Sequence, residues 1–576
     1  MHMLRLFVSS QSNVAKLSLV AVLAMASTAC TANPAEFEEE GDEVEQATDA
    51  LVTTGNGIDT CGPQKNERCD KKIPVKVSDT KTILLGKYDI TAGRFRTFVQ
   101  ATGGNIRGYI DANKPSWWNG QWAAALASGT GVGNNWSDVN GYAYNWSVWL
   151  PTSASDTSYA LGPYNWGIRA GNMAQTGASG YSGRYGGAKP ATDWNMYGPG
   201  NEGCGVDSFG ARTYWQPNGT FGENNRYSQA DLDKKALNCV SYYMLQAFCA
   251  WDGGRLPTTA ELDASWGAET YPWGETVPYY ANFNGTVVTN GPKDLANYGN
   301  SAGAVYTSPA TVGNDMSNRI SIPGSFPNGA GPYGHADVVG NVIAMTGDMT
   351  QGTANQNDLN SGTTVSVTNA PLAKWHRGGS WQGHTVGAAY TFIATNRYIA
   401  MGGRCAYDAG APAPASFPMG FRAEYFTGTA LAPANSKGVR IDPYIAFNST
   451  TFKNPAATTT NTAYSVRWTS TLVPRYTQTY TFKSVSGDGI RVWVNGVQVI
   501  NDWTTHGVAT KTGTIALTAG TSYSLKVEHY NAAGNGTSTK LMWSSSSQRE
   551  QVIPASQLKP PSNIVAQQMP VEAPQQ

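Results

Sequence analysis

"CVSYYMLQAFCAWDGGRLPTTAEL", residues Cys239 to Leu262, holds a helix, a stop and the start of a second helix in one run. Ser241 can accept the free N–H groups that open a helix over YYMLQAFCAW. Met244, Leu245, Phe248 and Cys249 then fall on one face at helical spacing. Gly253-Gly254 ends the run, because glycine tolerates the backbone of a helix terminus. Thr258 and Glu261 stand at the spacing of a capping box, in which two side chains satisfy each other's backbone N–H groups.

Upstream, TILLGKYDIT reads as a strand with Ile83, Leu85 and Ile90 among its β-formers. Thr91 is placed to cap AGRFRTFVQA, whose Phe95, Phe98 and Val99 share a face, and Gly103-Gly104 ends it. From about 105 to 235 the chain mixes Gly, Asn and Ser with Trp and Tyr, as in KPSWWNGQW, and no helical period lasts. A loop-rich insertion with short strands is expected there. Its aromatics suit either sugar or peptide contact or a local mini-core. From YPWGE to GGRCAY the chain again reads as turns and short strands.

DAGAPAPASFP marks a Pro/Ala linker and a boundary at 409–417. Beyond it, YSVRWTSTLV, QTYTFKSVS, IRVWVNGVQVI and SYSLKVEHYN are short alternating runs broken by turns. Asn495-Gly496 forms the tip of a tight hairpin, and the regular strand spacing predicts an all-β sandwich.

At 576 residues the chain exceeds one ordinary core, so two or more domains are expected. Only 14% of residues are charged, and Lys+Arg and Asp+Glu are both 40, which leaves no net field to recruit nucleic acid. Arg5 and Lys16 precede the apolar stretch Leu17–Met25 and then the small residues of ASTAC, a secretory pattern too short to span a bilayer. Cys30 after Ser27-Thr28-Ala29 is similar to a bacterial lipoprotein box, although such boxes carry Leu where Ser27 stands. Lipidation of Cys30 and a plain cleaved signal are both open, and either exports the chain. The next segment has eight acidic residues between Glu36 and Asp49 and no Lys or Arg, so a disordered tether is expected. Without Cys30, six cysteines remain, an even number that reads as three disulfides outside the cytoplasm. Cys61 and Cys69 can close one small loop; spacing leaves the other pairs open.

LGKYDITAGRFRTFV, the opening stretch, YPWGE, ANF, DVVGNV, RGGSW and GGRCA, in that order over Lys81 to Tyr407, resemble the formylglycine-generating enzyme or sulfatase-modifying factor family. The resemblance implies an irregular C-type-lectin-like α+β fold. It implies that Cys249 pairs with Cys405, which leaves Cys204 with Cys239. The family's oxidases hold copper(I) with two thiolates in the pattern R-G-G-S-aromatic-x-C-H-x-x-x-C, soft ligands for a soft ion. Arg377, Gly378, Gly379, Ser380, Trp381 and His384 match that pattern, but Gly383 and Ala388 stand where the thiolates belong. Copper is therefore not expected, and His376 and His384 are read as hydrogen-bonding residues of a loop or pocket. The resemblance further implies two calcium sites. Asp337 with the Gly340 and Val342 carbonyls matches one, with Ala344 replacing its closing Glu. Asn282 and Phe283 match the start of the other, whose Asp partner falls on Ala302. Either calcium completed by water or hydrogen bonds alone can hold these turns.

FRAEYF, the run from VRWTST to VQVI, LKVEHY, LMWSSSSQ and VIPASQL resemble the protective-antigen-type (PA-fourteen) β-sandwich over roughly Met419 to Leu558. Sugar-binding members use adjacent Asp residues to hold calcium. Here Asp488 remains, but Gly487 replaces its neighbour. The alternative role for Asp488 is to support the turn before IRVWV.

The expected fold class is α+β, an irregular lectin-like domain followed by an all-β sandwich. The expected layout is a signal over 1–30, an acidic tether over 31–60, the first domain over 61–408 and the linker over 409–417. The sandwich follows over 418–558 and a tail over 559–576. The expected function is a non-catalytic binding or surface-scaffold protein, exported to the outer membrane as a lipoprotein or to the extracellular space. Its partners would be a polysaccharide, a glycoprotein or a surface protein, with no nucleic acid. The alternative is a formylglycine-type oxidoreductase or a divergent enzyme of the same family. No Gly-x-Ser-x-Gly elbow or phosphate-binding Gly loop with its Lys is evident.

Overall fold

In the computed structural model, side-chain caps set the helix starts. Thr91 Oγ1 accepts from the Arg94 N–H at 3.3 Å and opens α1, Ala92–Ala101. Asn105 Oδ1 accepts from Gly108 at 3.0 Å and opens α2, Ile106–Asn113. A short helix α3 follows at Gln229–Lys234. Ser241 Oγ accepts from Met244 at 3.3 Å and opens α4, Tyr242–Trp251. Thr258 and Glu261 close a full capping box at the start of α5, Thr259–Trp266.

The structure describes residues 57–126, 134–137, 143–146, 213, 229–238, 240–281, 287–292, 294–297, 320–358, 363–380, 387, 391–394, 400–408, 417–448, 463–532 and 538–561. The export segment with Cys30 and most of the tether and insertion lie outside them. So do Cys204, Cys239, Asn282, Phe283, Ala302, Trp381, Gly383, His384 and Ala388. Residues 57–60, assigned above to the tether, are folded: Ile58 is buried, and Thr91 Oγ1 donates to the Gly57 carbonyl.

In the first domain, β1 (Lys72–Lys76), β2 (Thr82–Gly86) and the distant β11 (Ala406–Tyr407) form one antiparallel sheet in the order β1-β2-β11. Two small hairpins pair β3 (Asn134–Ser137) with β4 (Ala143–Trp146) and β5 (Tyr279–Ala281) with β6 (Val287–Asn290). A second sheet runs β10-β7-β8-β9, from β7 (Ile343–Asp358), β8 (Thr363–Trp375), β9 (Thr391–Ile393) and β10 (Met401–Gly402). Helices α1 and α4 bury their aromatic faces against each other, with Phe98 edge-on to Phe248 at 5.8 Å. The Cys249–Cys405 disulfide then ties α4 to the residue before β11.

Two elements differ from expectation. The insertion opens with helix α2, in which Ile106 and Ile110 are both fully buried. Two apolar residues one turn apart are too few to raise a helical period above a Gly- and Asn-rich background. The long hairpin β7–β8 replaces the expected turns and short strands. Its register shifts between Met345 and Met349 and between Gly352 and Ala354, and these irregularities break the alternation that would mark a long strand.

The sandwich contains β12 (Phe421–Thr427), β13 (Ser436–Asp442), β14 (Ala446–Asn448), β15 (Tyr464–Leu472), β16 (Gln478–Ser486) and β17 (Ile490–Val494). It continues through β18 (Val497–Asp502), β19 (Ala509–Leu517), β20 (Tyr523–Asn531), β21 (Ser538–Ser544), β22 (Gln551–Val552) and β23 (Leu558–Lys559). One sheet runs β13-β12-β15-β20-β17-β18 with β23 added beside β15; the other runs β14-β21-β16-β19 with β22 beside β21. Asn495 and Gly496 both adopt positive φ at the β17–β18 tip, as a type I′ turn requires. Trp468, Trp543, Tyr480 and Phe482 fill the space between the sheets. No helix among the described residues is long and apolar enough to cross a membrane.

Arg404 is buried where the first domain's chain segments meet. Its guanidinium donates to the carbonyls of Gly86, Lys87, Ala336 and Asp337, and to Asp89 Oδ1 at 2.7 Å. Burial pushes the Asp89 carboxyl up, against the opposing pull of Arg404. Replacing Arg404 with Met should cost about 3–5 kcal/mol in chemical denaturation, because it leaves a carboxylate buried without its cation. Adding Asp89→Asn should recover part of that loss.

Candidate functional site

The chain leaves β8 at Trp375 and enters the His376-Arg377-Gly378-Gly379-Ser380 turn. Glycine at 378 is a steric requirement: a Cβ there would lie 2.3 Å from the Val338 carbonyl oxygen. Gly379 has φ +67°, which glycine adopts without penalty. The turn thereby directs two side chains onto helix α5. His376, 2% exposed, places Nε2 3.1 Å from Asp263 Oδ1. Arg377 lies 4.6 Å over the Trp266 ring and holds Nε 3.0 Å from the same Asp263 oxygen. Trp266 also meets the His376 ring edge-on at 5.6 Å.

Burial pushes the His376 pKa down, although Asp263 opposes it, so the imidazole is neutral near pH 7. The hydrogen bond from His376 and the charge of Arg377 hold the Asp263 carboxyl low. The cluster is an ion pair stacked on an indole, with Asp263 half exposed and Arg377 one-third exposed. Such an arrangement can receive a polar ligand group at its open edge. Ser380 is fully buried behind it, while Trp381 and His384 fall outside the described residues. Sequence reasoning missed Asp263 and Trp266. They precede His376 by more than 100 residues, and no local spacing connects them.

The Asp337 turn is filled with hydrogen bonds. Asp337, at φ +54°, accepts from the Gly324 N–H through Oδ2 at 2.7 Å. Asn341 Oδ1 accepts from the Ser321 N–H at 2.8 Å and the Ser321 hydroxyl at 3.0 Å. A Cβ on Gly340 would meet the Asn297 carbonyl oxygen at 2.5 Å, and Val342 is buried. One Asp337 oxygen thus serves a backbone N–H, and Ala344 offers no side-chain oxygen. Among the described residues no group of three or more His, Cys, Asp or Glu could hold a metal ion.

In the sandwich, Asp488 is fully buried at φ +65°. Its Oδ1 accepts from the His506 N–H at 3.0 Å and its Oδ2 from the Ala532 N–H at 2.7 Å. Asp488 therefore braces two loops, the turn-supporting role expected as one of its two alternatives. Beside it, the outer sheet face carries residues that were not singled out. Arg491 on β17 lies 3.8 Å over the Trp503 ring and pairs with Glu528 at 2.6 Å. Arg467 on β15 meets the other Glu528 oxygen at 3.0 Å, and Lys526 lies 3.8 Å over Trp493. Tyr530 meets Trp503 edge-on at 4.8 Å. The signal was present in the sequence: Arg491 and Trp493, and Lys526 and Glu528, alternate with apolar residues and so share the outward face.

Two disulfides join described residues, Cys61 to Cys69 and Cys249 to Cys405. Residues 205–422 match the sulfatase-modifying factor enzyme 1-like domain, and residues 420–557 match the PA14 domain. Both matches agree, in kind and order, with the resemblances read from the motifs. The chain is 41% identical over 141 residues to the anti-sigma-I factor RsgI3 of Acetivibrio thermocellus, covering 24% of this chain and 21% of that one. It is 29% identical over 143 residues to a hercynine oxygenase of Mycolicibacterium thermoresistibile, covering 24% of this chain and 26% of that one. The chain thus spans about a quarter of the length of each curated relative. Among solved structures, the PA14 sugar-binding domain from an RTX adhesin is 17% identical with a TM-score of 0.22, covering 25% of this chain and 99% of that one.

Three buried histidines, His335, His376 and His529, give the molecule a pH dependence. Burial pushes His335 down to about 3 and His529 down to about 4. His529 is held neutral between the Gly489 carbonyl and the Thr539 hydroxyl. The unfolded chain takes up these protons near the ordinary histidine pKa of about 6.5, so it binds more protons than the native state below that pH. The stability of the neutral form is fully present above about pH 6.5 and falls by about 1.4 kcal/mol per unit for each group as pH drops toward 4. Urea titrations between pH 7.5 and 4.5 should show this slope, and His529→Gln should remove the share of one histidine, about 1.4 kcal/mol per unit.

Proposed function

We propose that this chain is an exported, non-catalytic binding protein that presents a lectin-like domain and a carbohydrate-binding sandwich. The observation that carries the non-oxidase reading is the pair Gly383 and Ala388. A copper(I) centre of the oxidase type needs thiolates at both places, and neither residue has a donor atom. Cys249 and Cys405, the described cysteines of the same domain core, are joined to each other. The PA14 match and the Trp493, Trp503 and Arg491 face support carbohydrate or glycoprotein recognition, because aromatic rings flanked by cations suit sugar rings and their polar substituents. Arg377, Trp381 and His384 are proposed as a second contact region on the first domain, which the fully buried Ser380 supports from within. The N-terminal basic and apolar pattern supports export, with Cys30 as the anchor if the chain is lipidated.

Purified protein supplied with copper(I) and oxygen should leave a sulfatase-type cysteine peptide unoxidised, as read by mass spectrometry. Robust conversion to the aldehyde would overturn the non-catalytic reading. On a glycan array, binding should survive EDTA, since both Asp488 oxygens already accept backbone N–H groups. Trp503→Ala should weaken that binding at least about tenfold, roughly the loss of one stacked, desolvated ring. Failure to bind any polysaccharide would remove the carbohydrate assignment.

A further inference from the structure

The expected linker would let two modules tumble separately. Phe417, its last residue, instead is 5% exposed and meets the Tyr333 ring edge-on at 5.8 Å. It belongs to an apolar cluster that crosses the boundary. Val75, Ile83, Leu85, Leu262, Tyr333 and Ala406 come from the first domain, and Phe417, Ile441 and Ala555 come from the sandwich side. Six of these nine are at most 1% exposed, which is the burial of a domain interior and unlike that of a transient contact.

Polar contacts surround this cluster on several sides. Lys76 Nζ donates to the Ile441 carbonyl at 2.6 Å, and Arg440 reaches Asp79 at 3.6 Å. The Ser556 N–H donates to the Pro332 carbonyl at 3.0 Å. Lys540 pairs with Glu269 at 3.0 Å, with the Glu269 side chain only 7% exposed, and Arg549 pairs with Asp294 at 2.7 Å. The approach is close enough to restrict side chains: a Cβ on Gly274, at φ +118°, would lie 3.0 Å from the Glu550 carbonyl oxygen. The two family matches also meet without a spacer, one ending at 422 and the other starting at 420.

We infer that the sandwich is a permanent buttress of the first domain, and that the two bind and move as one rigid body. Its docking surface is formed by β13, residues 540–556 and Phe417; its partner is the face made by β1, α5 and the turns at 267–275 and 327–335. This surface lies against α5 just beyond Trp266, so the sandwich also fixes the helix that carries Asp263 and Trp266. The inference holds whether or not the sandwich binds sugar.

The test uses the full chain with a protease recognition site introduced within 409–416. After complete cleavage the two fragments should elute together at about 1 μM, which requires a Kd below that concentration. Calorimetry of the uncut chain should show one transition. The Lys540→Glu variant, which sets a third acid beside Glu269 and Glu275, should raise the dissociation constant of the cut fragments at least about tenfold. Separation or precipitation of the cut fragments, or two resolved transitions in the uncut chain, would overturn the inference. Unchanged association in the Lys540→Glu variant would overturn the docking geometry.

Discussion

The first domain depends on one buried guanidinium. Arg404 gathers four backbone carbonyls and a carboxylate oxygen around its two Nη groups, Nη2 sharing its hydrogens among three acceptors, with its side chain 3% exposed. Those acceptors come from the end of β2, from Asp89 and from the 336–337 turn, segments about 250 residues apart in sequence. The next residue, Cys405, is bonded to α4, and Ala406–Tyr407 pairs with β2 and meets Arg255. Tyr407 then shares Asp252 with Arg94 of α1. Four consecutive residues thus connect both helices, the three-stranded sheet and the loop core. A fold with so little regular structure lacks long backbone ladders, and this charged and covalent junction takes over their organising role.

The sandwich repeats the arrangement with the charges exchanged. Here the buried group is the Asp442 carboxylate, which accepts from Tyr425 at 2.6 Å, Trp468 at 2.8 Å and Arg440 at 2.6 Å. Arg440 also faces Asp79 of the first domain. The junction that orders the β12–β13–β15 corner therefore extends into the domain boundary. A substitution at Arg440 would disturb a sandwich interior and a domain contact together. This coupling makes separable modules an unsuitable description of the pair.

What could be read from the sequence follows from how local each cause is. Caps at Thr91, Ser241 and Thr258 act over three residues, and the sequence placed all three. The Asn495-Gly496 tip and the alternation on β15 and β17 are equally local. The long β7–β8 hairpin was not legible because its register shifts conceal the period of two. The Asp263–His376–Arg377–Trp266 cluster was half legible. The turn bearing His376 and Arg377 was singled out, while its partners on α5 are set by tertiary packing alone. Asp488 was correctly located at a turn, but the two N–H groups it accepts arrive from 506 and 532, which no local spacing could reveal.

The Arg377–Trp381 motif carries a broader consequence for reading function from such stretches. Gly378 is required by the approach of the Val338 carbonyl, and Gly379 by a left-handed backbone. Arg377 and His376 are engaged by Asp263 and Trp266. Each of these demands belongs to the fold and would exist without any oxidation chemistry. The motif is therefore evidence for an architecture, and packing suffices to explain its presence. Chemistry of the oxidase kind would have to be supplied by thiolates at 383 and 388, and Gly383 and Ala388 supply none. A chain can match nearly all of such a motif and still lack the atoms that do the work, so the donor atoms, and not the match, decide the functional reading.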